Sequence, residues 1–168
     1  TFGGSGNITV ADPIATSTGT LTKDGSGTLT LSGTNTYTGA TAISAGTLLT
    51  NNASNTLTDN TTITVSSGAT YQVDGTDSVG AITGSGSIVI ASTKTLTTVV
   101  NGTTSFDGVI SGAGNLTKSG TATLTLSGTN TYSGKTRIAQ GTLSISRDSN
   151  LGTAPGSYVS DQLTVATT

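Results

Sequence analysis

The residues best suited to chemistry stand together in the segment YQVDGTD, which contains Tyr71, Asp74 and Asp77. Paired carboxyl groups can act as general acid and base, and carboxylate oxygens are ligands that Ca²⁺ prefers. The simpler interpretation is a polar turn in which an aspartate bonds its own backbone, because no glutamate, histidine or paired arginine supports the chemistry. The segment therefore favours a turn, and we predict neither a catalytic residue nor a metal site in it.

The amino-acid composition excludes several further classes of site. The chain of 168 residues has no Cys, His, Met or Trp, and all eight of its acidic residues are Asp. A Ser-His-Asp or Cys-His nucleophile needs an imidazole, and zinc sites draw mainly on Cys and His. Six Lys and Arg at a net charge of −2 do not form the basic surface that nucleic acid requires. We expect no cofactor, no metal and no nucleic-acid partner.

Glycine-rich stretches offer three weaker matches to binding motifs. Residues 3–8, GGSGNI, partly match the nonapeptide that binds Ca²⁺ in repeat toxins, but the match occurs once and has Asn where Asp is wanted. The Gly-x-Gly stretches at Gly25 to Gly27 and Gly84 to Gly86 lack the Lys-Ser/Thr tail and the following helix of a phosphate-binding loop. All three stretches are predicted to be turns.

Threonines recur in Thr-x-Thr pairs, which on a flat array can order water and bind ice. The pairs are Thr28/Thr30, Thr62/Thr64, Thr95/Thr97 and Thr123/Thr125. Their spacing is irregular, whereas ice binding needs pairs at the same place on successive strands. Outward positions of exposed strands also favour β-branched polar residues, and this interpretation is preferred.

Short alternating strands must position all of these residues. The run from Thr28 to Leu31 alternates with period two, which places its leucines on one face and its threonines on the other. Gly33 ends this strand, residues 35–39 are predicted to form a corner, and extended structure resumes at 41–43 and 47–49. Similar patterns predict strands at residues 7–10, 61–65, 69–73, 87–90, 95–100 and 162–165.

An internal repeat sets the architecture. Residues 21–49 read LTKDGSGTLTLSGTNTYTGATAISAGTLL and residues 116–144 read LTKSGTATLTLSGTNTYSGKTRIAQGTLS, with 20 of 29 positions identical at an offset of 95 residues. Tyr37 and Tyr132 are equivalent, and for both a ring packed over its corner is favoured over a platform for sugars. Lys135 and Arg137 replace alanines of the first copy and are interpreted as solvated side chains.

Two folds fit many short strands with Gly, Asn and Ser corners: an antiparallel β-sandwich and a β-solenoid. Two Phe and four Tyr are few for a sandwich core, whereas Leu, Ile, Val and Ala fill a narrow solenoid interior. We therefore predict an all-β, right-handed parallel β-helix, with the antiparallel sandwich as the alternative. At roughly 20 residues per turn the chain gives about eight turns.

The repeat resembles the passenger-associated strand repeat of bacterial autotransporters. The second copy, extended upstream as FDGVISGAGNL from Phe106, is similar to the F-x-G-x-I-x-G-x-G-x-L opening of that family. We predict one solenoid segment over 1–168, with homologous repeats at about 11–49 and 106–144 and a degenerate spacer at 50–105. The structural repeat motif comprises Leu29, Leu31, Gly33, Asn35, Tyr37, Gly39, Ile43, Gly46, Leu48, Leu124, Leu126, Gly128, Asn130, Tyr132, Gly134, Ile138, Gly141 and Leu143.

The resemblance implies a β-helix exported by type V secretion to the bacterial cell surface or the extracellular space. The expected function is a structural passenger segment, an adhesin or a stalk without catalysis. A filament subunit stacking end to end is the alternative, and a polysaccharide- or ice-binding solenoid is a weaker one. Expected partners are other copies, through uncapped solenoid ends, or neighbouring passenger segments, besides a host or surface ligand of unknown identity. No apolar run has the length of a membrane span and no signal peptide opens the sequence, so an exported chain is expected to be a mature product or an excised piece.

Overall fold

The chain folds into short parallel strands. The computed structural model describes residues 1–153 and 161–166, and in them one short 3-10 helix, Asp148–Leu151, is the only helical element. The strands are β1 (Ile8–Val10), β2 (Leu21–Lys23), β3 (Thr28–Leu31), β4 (Thr41–Ile43), β5 (Thr47–Thr50), β6 (Ile63–Val65), β7 (Thr70–Val73), β8 (Asp77–Val79), β9 (Ile82–Gly84), β10 (Ser87–Ile90), β11 (Thr95–Val99), β12 (Thr104–Phe106), β13 (Val109–Gly112), β14 (Asn115–Ser119), β15 (Thr123–Leu126), β16 (Thr136–Ile138), β17 (Thr142–Ile145) and β18 (Leu163–Val165).

The strands form three parallel sheets that wind around one axis. Sheet 1 has the order β1-β3-β5-β7-β10-β13, sheet 2 the order β8-β11-β14-β16-β18, and sheet 3 the order β2-β4-β6-β9-β12-β15-β17. The prediction of a right-handed parallel β-helix is confirmed, and the antiparallel sandwich is wrong because every described strand pair is parallel. The seven strands of sheet 3 correspond to about seven turns. In the described part of the chain, no helix is long and apolar enough to cross a membrane.

Strand alternation builds the core. Within β3, Leu29 and Leu31 are fully buried while Thr28 and Thr30 face outward. The parallel register places inward apolar residues of successive turns over one another. One such column of sheet 1 consists of Ile8, Leu29, Leu48, Tyr71, Ile88 and Ile110. Each buried aliphatic side chain of such a column contributes roughly 1.5–3 kcal/mol by leaving water. The columns merge into one apolar cluster along the axis.

The segment predicted as a corner at residues 35–39 is the third face of its turn. It has no regular strand, yet its backbone bonds to the turns on both sides: Asn35 N donates to Thr56 O at 3.0 Å and Thr36 N to Ile14 O at 3.0 Å. On later turns the same face becomes sheet 2. Asp77 was likewise expected in a turn and instead begins β8, because Val79 and Asp77 are both inward positions of that strand.

The two sequence copies are rotated around the axis. In the first copy β2 and β4 belong to sheet 3 and β3 and β5 to sheet 1, whereas in the second copy β14 and β16 belong to sheet 2 and β15 and β17 to sheet 3. From β2 to its equivalent β14, the chain makes four full turns, which end at β12, and then passes two more faces, those of β13 and β14. Equivalent outer surfaces of the copies therefore point in different directions, and what the copies share lies in the interior.

Candidate functional site

A buried lysine occupies the equivalent strand position in both copies. In β2 the alternation of Leu21, Thr22 and Lys23 points the lysine inward, where it is 3% exposed. Its ammonium donates to the carbonyl of Gly25 and, at 3.2 Å, to that of Ala45 on the next turn. The side chain therefore joins two consecutive turns through carbonyl groups that no strand partner satisfies.

Lys118 repeats this arrangement in the second copy. The residue is fully buried, and its Nζ donates to the carbonyls of Ser119 at 2.7 Å, Gly120 at 2.8 Å and Gln140 at 3.1 Å. Burial lowers the pKa of Lys118 below its ordinary value. Opposite the two ammonium groups lie Gly46 and Gly141, with φ of 66° and 72°, a backbone conformation that favours glycine.

An asparagine holds three turns together in each copy. Asn35 Oδ1 accepts from Ile14 N at 2.8 Å, and its Nδ2 donates to Thr56 O at 2.8 Å, so one side chain bonds to the turns before and after its own. Asn130 does the same with Ile110 N at 2.8 Å and Asn150 O at 2.6 Å. Both carboxamides are buried, and each bonds within the protein through both its oxygen and its nitrogen.

The paired tyrosines Tyr37 and Tyr132 lie in the core. Their rings are 1% and 0% exposed, and each hydroxyl is 2.7 Å from a buried threonine hydroxyl, that of Thr41 or Thr136. Burial raises the pKa of Tyr37 to about 12. Neither ring offers an exposed face on which a sugar can stack.

The rest of the repeat motif divides into core and contact positions. Leu29, Leu31, Ile43, Leu48, Leu124 and Leu126 are fully buried, whereas Ile138 and Leu143, in the last turns, are half-buried. At Gly33, Gly39, Gly128 and Gly134 the backbone of the preceding turn lies so close that an added Cβ atom would fall within 2.7 Å of it. The motif residues thus face the interior or the adjacent turn.

The YQVDGTD segment does not present an accessible pair of carboxylates. Tyr71 and Asp77 are buried, and the Tyr71 hydroxyl donates to Asp77 Oδ2 at 2.8 Å. Asp77 Oδ1 accepts from the backbone nitrogens of Leu57 at 3.0 Å and Ser78 at 3.2 Å. Asp74 is half-buried and bonds instead to Gln72 Nε2.

Burial shifts the titration of both core groups. Desolvation raises the pKa of the Asp77 carboxyl, against the opposing effect of its hydrogen bonds from Leu57, Tyr71 and Ser78. Desolvation, with the nearby Asp77 charge, raises the pKa of Tyr71 well above its ordinary value. The Thr50 hydroxyl is also close to the pair, although it does not meet the geometry of a hydrogen bond. Within the described residues no group of three or more acidic, His or Cys side chains could hold a metal ion.

The glycine-rich stretches are places where turns lie against each other. Cβ atoms added at Gly25 and Gly27 would come within 2.1 Å of backbone oxygens in residues 4–6, and one at Gly84 within 2.1 Å of Val65 O. Protein backbone therefore occupies the space that a bound phosphate would need at these two stretches. Residues 3–6 form an exposed bend ahead of β1.

The Thr-x-Thr pairs are divided among the three sheets. Thr28/Thr30 lies in sheet 1, Thr95/Thr97 in sheet 2 and Thr123/Thr125 in sheet 3, where Thr64 of the pair Thr62/Thr64 also lies, three strands away in β6. On the turn after Thr28 and Thr30 the same two columns carry Thr47 and Leu49. This distribution does not form the two-column threonine array that ice binding needs.

Lys135 and Arg137 lie on the outside of the second copy. Lys135 forms an exposed ion pair with Asp161, and Arg137 projects from sheet 2 between Thr117 and Thr164. The equivalent Ala42 lies on sheet 3, so this charge belongs to one face of the rod and not to the repeat as such.

Sequence reasoning missed the buried roles of Lys23, Lys118 and Asp77. The signal was present in the alternation, because Leu21 and Leu116 are inward residues and a position two residues further along must also be inward. A charged residue at an inward position, identical in both copies, indicates an internal bond to backbone carbonyls.

The comparisons with known proteins agree with this geometry. The family model described as passenger-associated-transport-repeat matches residues 21–50 and 116–145. No curated protein and no solved structure matches the chain significantly. Both matched segments contain the buried lysine, the asparagine linking three turns and the core tyrosine. The chain is therefore a β-solenoid that contains two passenger-associated-transport repeats, at residues 21–50 and 116–145.

Proposed function

We propose that the chain is a structural solenoid segment of an exported bacterial surface protein, an adhesin or stalk that catalyses no reaction. The observation that carries this proposal is the placement of the repeat. The copies keep the same internal lysine, asparagine and tyrosine bonds although their outer faces point in different directions. Because the two copies keep the same internal bonds on different sides of the rod, the repeat serves the shape of the solenoid and not one surface site.

The family match supports the location. Passenger-associated-transport repeats belong to the exported passengers of autotransporters, so we place the chain at the cell surface or in the extracellular space. The composition suits such a rod, because charged residues make up 8% of the chain and threonine takes outward strand positions such as Thr28 and Thr30. The motif positions that the family shares are occupied here by packing groups, which supports a role without catalysis.

A secretion fusion tests the proposal. The chain is placed between a heterologous signal peptide and an outer-membrane translocator barrel, and antibody binding to an N-terminal tag is measured on intact cells. We expect surface exposure of a protease-resistant chain, and no hydrolase or lyase activity of the purified chain on polysaccharides. A folded chain that stays in the periplasm, or one with polysaccharide-cleaving activity, would contradict the proposal.

A second candidate function, end-to-end assembly, is favoured by the two terminal turns. Ile145, Leu163 and Val165 are 39%, 50% and 62% exposed, although register puts Leu163 and Val165 over inward positions of β16. At the other end Phe2 and Ile8 are only half-buried against the core. Apolar inward positions are thus exposed in these terminal turns, and a strand of another copy or of a neighbouring passenger segment can continue the parallel ladder there.

Sedimentation at rising concentration tests assembly of the 168-residue chain. We expect oligomers that lengthen with concentration, and monomers after Val165→Lys, because a charge in the stacking face must be desolvated to join it. Thr164→Lys, one position away on the outward face, is the control and should assemble normally. A monomeric wild-type chain at high concentration would rule out this function.

A further inference from the structure

Unequal corner lengths cut a notch into the side of the solenoid. Residues 58–62 lead into β6, residues 80–81 into β9 and residues 100–103 into β12, on three successive turns. The middle corner has only two residues, so it cannot project as far as the four- and five-residue corners on either side. The result is an open cavity of about 240 Å³ lined by all three corners.

The walls of this notch carry polar groups without protein partners. Asp59 and Asn60 form one wall, Asn101 and Thr104 the other, and Gly80 and Ala81 the floor between them. Among the described residues, the side chains of Asp59, Asn60 and Asn101 make no hydrogen bond, and the buried Thr104 Oγ1 has no partner. The exposed side chains of Asp59, Asn60 and Asn101 are therefore free to bond to a ligand in the notch.

Most of the other asparagines bond within the solenoid, unlike those of the notch. Seven of the ten asparagines use their side chains in hydrogen bonds within the solenoid. Of the described asparagines only Asn51, Asn60 and Asn101 do not, and two of these three line the notch. The carboxamides that are not needed to hold turns together are thus concentrated at one place on the surface.

The lining selects one class of ligand. It contains one carboxylate and neither Lys nor Arg, which disfavours phosphates, sulfates and acidic sugars. One carboxylate is also too little for a dedicated Ca²⁺ site, which gathers six to eight oxygen ligands. Amides, hydroxyls and a single carboxylate instead match the alternating donors and acceptors of a neutral sugar ring.

We propose that the notch between Asn60 and Asn101 binds a neutral carbohydrate unit. The proposal rests on the function given above and names the class of ligand that the adhesin would bind. A volume of 240 Å³ holds about eight waters at ~30 Å³ each, so one sugar ring fits by displacing several of them. Without an aromatic platform the affinity is weak, with Kd in the range of about 0.1–10 mM for one unit.

Saturation-transfer NMR with the purified chain tests the notch. The probes are neutral cello-, manno- and xylo-oligosaccharides, titrated to millimolar concentrations. We expect at least one of them to bind, at least tenfold weaker binding by Asn60→Ala/Asn101→Ala and by Ala81→Leu, and unchanged binding by Asn51→Ala. Thermal unfolding of each variant shows whether it folds. If Ala81→Leu does not fold, the double asparagine variant still tests the notch, because the side chains of Asn60 and Asn101 make no hydrogen bond in the described part of the protein.

Three results would overturn the proposal: no oligosaccharide binds, binding is insensitive to the notch variants, or Ca²⁺ alone perturbs the notch. Failure here is distinguishable from failure of the structural function, because notch variants are expected to reach the cell surface in the secretion fusion as the wild type does. If the chain is displayed on the cell surface but binds no sugar, the ligand proposal is wrong and the structural function stands.

Discussion

A single methyl group added at Gly128 is expected to lower the free energy of unfolding by about 3 kcal/mol or more. The Cβ of an alanine there would lie 1.9 Å from the carbonyl oxygen of Gly108 and 2.8 Å from its carbon, both backbone atoms of the preceding turn. Backbone cannot rotate away as a side chain can, so the two turns must separate. The adjoining bond from Ser127 N to Phe106 O, 3.2 Å long, is then strained as well.

The matched control is Gly102→Ala. Neither Gly128 nor Gly102 has a positive φ, so alanine suits both backbones, but a Cβ at Gly102 meets no atom within 4 Å. We expect the control to change stability by no more than about 0.5 kcal/mol. Urea unfolding of the three proteins measures the difference, and equal stability of the two variants would show that adjacent turns are not in the close contact described.

The fold followed from the sequence because its determinants are local. Alternation in runs such as Thr28 to Leu31 fixes which side chains face inward, and glycines fix where the chain turns. Parallel register then needs only that each inward Leu or Ile lies over another, as Leu29 does over Leu48. The face at Asn35 and Tyr37 escaped prediction as a part of the ladder because its side chains, not a regular strand, carry the bonds between turns.

The sites were less accessible to sequence reasoning because they depend on stacking. Whether Asp77 is a surface or a core residue is decided by its partner Leu96, 19 residues further on, and by Leu57 on the preceding turn. The notch exists only because a two-residue corner lies between longer ones on adjacent turns. Neither relation is visible until every turn has been assigned its length.

Truncating Asp77 to alanine is expected to cost about 3 kcal/mol or more, whereas Asp77→Asn is expected to be tolerated. Alanine leaves two buried donors without their acceptor, the Tyr71 hydroxyl and the backbone nitrogen of Leu57, at roughly 1–3 kcal/mol each, whereas the Ser78 nitrogen keeps its bond to Asn55 Oδ1. Asparagine keeps an oxygen for the two backbone donors. Its amide can donate to the Tyr71 hydroxyl, which is then free to bond to the nearby Thr50 hydroxyl.

The pH dependence of stability separates the charge from the hydrogen bonds. Because burial raises the pKa of Asp77 in the folded state, the native protein holds this proton more tightly than the unfolded chain does. The contribution of Asp77 to stability is therefore greatest in acid and declines as pH rises from the ordinary aspartate pKa through the raised one. Asp77→Asn removes this decline, so its stability relative to wild type should increase between pH 4 and pH 8, about the window in which a buried carboxyl ionises.

Urea unfolding at both pH values measures this change, and Asp74→Asn, in the corner between β7 and β8, is the control. Asp74 is half-buried and its carboxylate bonds only to Gln72, so its variant removes a carboxylate from the same segment without changing the core. A flat difference for Asp77→Asn would mean that the carboxyl ionises as easily in the core as in water. That outcome contradicts the burial of Asp77, since a charge without a cationic partner must cost free energy in an apolar interior.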